Sequence, residues 1–193
     1  MGERAFALVY SLIAIGLFAL MAVVFARSPQ GWMLWDGNAL LPWVLACLLT
    51  LVALALFIGS LSGNPALPLA NLAGVSARKP KGVFKITRHP MMWGIALWAL
   101  AHAIASPTPR VLILTGAMAF LALVGAHAQD LRKSALNPRE WNVWRKRTSY
   151  WPRVYAAREL GRHGLTALLG WLAITWLHLP LGHIPAGIWR WFG

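Results

Sequence analysis

The stretch AFALVYSLIAIGLFALMAVVFA, Ala5 to Ala26, carries no charge. Its roughly 22 residues, at about 1.5 Å each, reach about 33 Å, enough to cross a hydrocarbon core of about 30 Å. Arg4 ahead of it invites comparison with a secretion signal. The run is long for a signal's apolar core, however, and Phe25-Ala26-Arg27 offers no small-x-small cleavage site. It reads as a retained membrane helix. The rest of the chain repeats this composition. Of 193 residues, 59% are hydrophobic and 12% are charged, about half the charged share of a soluble domain. A single soluble fold of this length could not hide that much apolar surface, whereas a bilayer can.

Working outward, Trp32 and Trp35 follow as interfacial anchors, and a second apolar run covers 39–61 before Gly63-Asn64-Pro65 breaks it. A third span, 91–105, is short. After the reversal at Ser106-Pro107-Thr108-Pro109 a fourth covers 111–129, and a fifth covers 165–178. The tail ending Ile188-Trp189-Arg190-Trp191-Phe192 suits an interface. The expectation is an all-α polytopic bundle of about five transmembrane helices in one domain, 1–193.

A net charge of +13 would suggest nucleic acid in a soluble protein. Here the cations fall into two stretches between apolar runs. Arg78, Lys79, Lys81, Lys85 and Arg88 form one. Arg132 and Lys133 begin the other, which continues through Arg139, Arg145, Lys146, Arg147 and Arg153 to Arg162. The opposite loops carry only Arg27 and Arg110. The positive-inside rule then places the N-terminus and a basic cap (62–90 and 130–162) in the cytoplasm, with the C-terminus outside. This is the pattern of a multi-pass protein of a bacterial-type cytoplasmic membrane, with no nucleic-acid partner. The one cysteine, Cys47, lies in an apolar run and excludes an intrachain disulfide or a multi-cysteine metal site.

The densest polar motif is Ile86-Thr87-Arg88-His89-Pro90, where proline suits the first turn of the third helix. Arg88 and His89 at a helix start suit a carboxylate or phosphate, and equally suit interfacial residues held by lipid phosphates. His102 lies about 18 Å into that span, where an ionisable side chain is either a functional site or a neutral partner in the bundle. Asp130 follows His127 at the end of the fourth span. It could orient His89 or His127, or form a plain ion pair. Trp141-Asn142-Val143-Trp144-Arg145-Lys146-Arg147, running on to Tyr150, reads as aromatics at the membrane surface with arginines reaching phosphates.

Three stretches together resemble the NnrU family, which includes the membrane zeta-carotene isomerase: Gly2-Glu3-Arg4-Ala5-Phe6, ITRHPMMWGIALWALAH (Ile86 to His102), and Arg147-Thr148-Ser149 preceded by Asp130-Leu131-Arg132. The isomerase implies haem b with histidine ligation and a redox-gated cis-to-trans isomerisation of a polyene. Bacterial members are linked to denitrification. The resemblance makes His102 an iron ligand and gives His89 a place at the site. Arg88, His89 and Arg132 would hold propionates or an anionic cofactor, joined by Asp130, Trp144 and Arg147. The family's usual N-terminal helix, with the second histidine ligand, has no counterpart ahead of Gly2-Glu3-Arg4. In straight helices His127 and His89 lie toward the cytoplasm, some 15 Å of depth from His102 toward the outer side, so depth leaves His178 to face it.

The R-H-P motif also resembles membrane methyltransferases of the isoprenylcysteine type, in which that region and a later glutamate bind S-adenosylmethionine. Here Asp130 is the nearby substitute for the glutamate. A non-catalytic membrane subunit is the third reading. An apolar lipid or polyene is the expected substrate of the haem reading, and a homo-oligomer or a partner subunit stays open.

Overall fold

The computed structural model describes residues 3–67, 70 and 72–192, which form six α-helices joined by short 3-10 turns, with no strand among the described residues. Gly2 of the G-E-R stretch lies outside them. The helices are α1 (Glu3–Arg27), α2 (Leu40–Gly59), α3 (Pro90–Ala105), α4 (Pro109–Leu136), α5 (Pro138–Arg147) and α6 (Gly164–Gly182). Four helical stretches, Leu8–Arg27, Leu40–Gly59, Pro109–Leu136 and Val154–Gly182, are long and apolar enough to cross a membrane, and α3 is an apolar helix too short by that measure. The chain is therefore an all-α membrane bundle.

Within the bundle α2 packs along α3, α3 along α4, and α6 along α2. The interior contacts use small side chains, with Ala53, Ala99, Ala101, Ala122 and Ala126 all buried. Small residues let helix backbones approach closely where lipid offers no hydrophobic drive to associate. Gly94 is the tightest case: a Cβ there would lie 2.8 Å from the Ala53 carbonyl oxygen of α2. Gly94→Ala should therefore lower stability by about 1–3 kcal/mol as α2 and α3 are pushed apart. Elsewhere in a helix the same change stabilises by about 0.5–1 kcal/mol. Thermal unfolding in detergent decides the sign, and an unchanged or raised midpoint would show that the contact is not tight.

α1 lies outside this packing, and none of its apolar window is buried within the protein. That is stable only because lipid is its solvent. Arg110 at the start of α4 ties it down by donating to Phe25 O at 3.4 Å and Ser28 O at 2.9 Å, with its guanidinium 4.9 Å from the Phe25 ring centroid.

At the basic end the character changes. α4 runs on to Leu136 rather than stopping near Gln129, because its polar turns find partners. Lys133 is buried and donates to Leu67 O at 2.7 Å. α5 presents Trp141 and Trp144 to a core of Val75, Val83, Phe84 and Ile86. The surface placement expected for these tryptophans is corrected. Trp141 is 0% exposed and Trp144 4% exposed, because α5 is amphipathic and its aromatic stripe covers the 3-10 turns at 75–77 and 82–85. The last 3-10 turn, Gly187–Trp191, folds back on α6, where Trp189 Nε1 donates to Thr175 Oγ1 at 3.1 Å.

Candidate functional site

The segment before α3 is stitched to the segment after α5. Arg88 N donates to Ser149 O at 2.8 Å, Thr87 Oγ1 to Tyr150 O at 2.7 Å, and Arg153 N to Ile86 O at 2.9 Å. Trp93 Nε1 adds a bond to Tyr150 O at 2.9 Å. His89 thus becomes the N-cap residue of α3 with Pro90 in its first turn. This stitching aims Arg88 and His89 at α4, where Asp130 waits.

Arg88 donates through Nε to Asp130 Oδ1 (2.9 Å) and Oδ2 (2.8 Å), and through Nη2 to Oδ2. His89 Nε2 donates to Asp130 Oδ1 at 2.9 Å, since an ionised carboxylate can only accept. All three residues are buried, and His89 Nδ1 is a buried nitrogen without a partner in the structure. Tyr150 closes the cluster, its ring 5.5 Å from the Arg88 guanidinium and its hydroxyl donating to Leu123 O at 2.7 Å. Burial first, and then the Asp130 charge, push the Tyr150 hydroxyl above its usual range, so it remains a donor. The anion held at the start of α3 is thus a carboxylate of the protein itself.

The second polar feature lies along α3 about 20 Å from the first by helix rise. His102 and His178 line one apolar cleft of about 260 Å³, walled by Leu54, Ile95, Trp98 and Ile174. Each Nδ1–H donates to the carbonyl one turn back in its own helix, His102 to Trp98 O and His178 to Ile174 O, both at 2.8 Å. A carbonyl only accepts, so Nδ1 is protonated in each ring, and in the neutral imidazole Nε2 carries the lone pair. The Trp98 ring lies 3.9 Å from the His102 ring. The rim is open, with Trp98 38% and Ile174 46% exposed.

His102 and His178 are candidate ligands for a metal or a metal-bearing cofactor. Backbone-anchored imidazoles with free Nε2 are what metal ligation needs. No group of three or more metal-binding side chains occurs among the described residues. Arg190, in the turn after α6, holds its guanidinium 5.5 Å from the Trp43 ring centroid and 5.6 Å from that of Trp191, with Nη1 buried and without a hydrogen-bond acceptor among the described residues. Nothing in the chain's motifs singled out Arg190. The other residues read from the sequence lie elsewhere. Arg132 borders a separate polar hollow with Lys133 and Gln129. Arg147 Nη1 donates to Ser76 O (2.6 Å) and Arg78 O (3.2 Å), and Trp144 is core. His127 is exposed and shares a cleft with Arg88, Arg145 and Tyr150.

A polytopic helical membrane protein with a buried Arg–His–Asp cluster at its basic end, and a histidine-lined apolar cleft beyond it, is the class these features define. The family model described as NnrU protein matches residues 1–186. The chain belongs to the NnrU family. No curated protein and no solved structure matches it.

Proposed function

We propose that this chain is a haem-binding membrane protein, in which His102 and His178 would hold the haem iron and an apolar molecule of the bilayer, such as a polyene, would be the substrate. One observation carries the reading: two imidazoles from different helices line the same apolar cleft, each with Nδ1–H anchored and Nε2 left as a free donor of electrons. A haem bound there would supply a redox-active iron in a site of low polarity. The protein's own residues do the rest. The carbonyls of Trp98 and Ile174 hold the imidazole planes and raise their basicity as ligands. Leu54, Ile95 and Ile174 exclude water, and the open rim beside Trp98 lets an apolar molecule enter from lipid. Arg190, held over the Trp43 and Trp191 rings with Nη1 lacking a hydrogen-bond acceptor, would be the candidate cation for a carboxylate at that end of the bundle.

The test is the absorption spectrum of the full chain purified in detergent, oxidised and then reduced with dithionite, before and after titration with haemin. A Soret band with sharp reduced α and β bands is expected. A folded protein that stays colourless after haemin would remove the proposal. The transferase reading rests instead on the cleft of about 500 Å³ lined by Arg88, His127, Arg145 and Tyr150. There Arg88 is already matched by Asp130, so calorimetric titration with S-adenosylmethionine is expected to show no binding.

A further inference from the structure

Five cations of the basic end have a hydrogen-bond or ion-pair partner inside the protein. Lys85 pairs with Glu159 at 2.6 Å, Arg88 with Asp130, Lys133 with a carbonyl, Arg145 with Ser134 Oγ, and Arg147 with two carbonyls. Arg78, Lys79, Lys81 and Arg162 are not among these five. Among the described residues their side chains form no hydrogen bond and no ion pair, and all four line one cavity of about 680 Å³. No acidic side chain lines it.

The cavity is built rather than incidental. Its loop is clamped to α5 from both sides: Ser76 N donates to Glu140 Oε2 at 2.7 Å, and Arg147 Nη1 donates to Ser76 O and Arg78 O. The Ser76 amide holds the Glu140 carboxyl below its usual range, so this clamp stays charged. Gly59 lets the end of α2 close on the wall, for a Cβ there would meet Val83 Cγ1 at 2.6 Å. Gly82, at φ +54°, turns the chain between Lys81 and Val83 in a conformation that favours glycine. The floor is Val83, Phe84 and Trp144, and the Trp144 indole N–H is buried without an acceptor. Four exposed positive charges around an aromatic floor suit a compact polyanion with tetrahedral oxygens, since a monoanion would leave most of the charge unmatched.

We propose that this basin binds a phosphate group bearing more than one negative charge, either the phosphomonoester headgroup of a membrane lipid or a free phosphate compound. The site is separate from the histidine-lined cleft and shares none of its lining residues.

The full chain in uncharged detergent is titrated with inorganic pyrophosphate, and in parallel with micelles doped with phosphatidic acid or with phosphatidylcholine. Affinity and the ligand-induced rise in melting temperature are the readouts. The Lys79→Gln/Lys81→Gln variant is compared with Arg139→Gln/Lys146→Gln, which removes equal charge from exposed positions outside the basin. At about 1 kcal/mol per cation, the basin variant should bind roughly thirtyfold more weakly, and the outer variant close to wild type. Binding of pyrophosphate with that pattern assigns a free phosphate ligand; response to phosphatidic acid alone assigns a lipid headgroup. Failure of both probes, or equal weakening in the two variants, overturns the site. The melting temperatures of both variants without ligand report folding, since all four substituted positions are exposed or loop positions.

Discussion

Asp130→Ala is expected to lower the melting temperature of the detergent-purified protein by about 10 °C or more. The reason is what the change leaves behind. Asp130 is 3% exposed, and its carboxylate accepts from both Arg88 and His89. Without it a guanidinium remains buried and uncompensated, a loss of about 3–5 kcal/mol where one partner of a buried pair is removed. For a chain of this size each kcal/mol corresponds to roughly 2–4 °C. The Arg88→Met/Asp130→Leu double variant separates this cause from lost packing. Replacing both charges by apolar groups should recover much of the stability, because the cost lies in the unmatched charge. A double variant as unstable as Asp130→Ala would contradict that account, as would an Asp130→Ala protein melting like the wild type.

His102→Ala carries the largest expected spectroscopic effect. If His102 and His178 ligate haem, removing either should abolish the sharp reduced α and β bands, while His127→Gln, at an exposed position outside the cleft, should leave them in place. His102 has no role in the buried cluster, and among the described residues its side chain hydrogen-bonds only within its own helix, to Trp98 O, so the substitution spares the fold and the spectrum reads ligation. Retention of the full spectrum in His102→Ala would end the axial assignment. Retention in His178→Ala alone would leave His102 with another partner.

The family and the membrane class follow from different parts of the same chain. Residues 1–186 match one family, and the apolar runs that define the class lie inside that region. The helix ends were less legible. The last membrane-length stretch begins at Val154, because the turns at 154–163 run directly into α6, while the apolar run alone starts near Leu165. Turns rich in arginine look like loop until the partner of each side chain is known.

The candidate sites show the same division more sharply. Arg88, His89, Asp130, His102 and His178 stood out in the sequence because ionisable groups in or beside apolar spans are costly and rare. Their grouping did not. Asp130 lies 42 residues from Arg88 and 41 from His89, and only the packing of α3 on α4, with the 149–153 segment stitched to 86–88, brings them together. Trp141 and Trp144 could equally have been interface anchors, since tryptophan beside arginine suits a lipid headgroup or a core, and which face α5 turns inward is a tertiary fact. Arg190 and the four cations of the basin stood in the sequence only as parts of an interfacial tail and of two charge runs, with nothing to group them at one cavity. The sequence by itself determined the solvent and the class, because run length and charge segregation are properties of the chain read in order. The tertiary structure alone decided which charges are neutralised inside and which are left facing a cavity, because pairing depends on distances that no linear spacing contains.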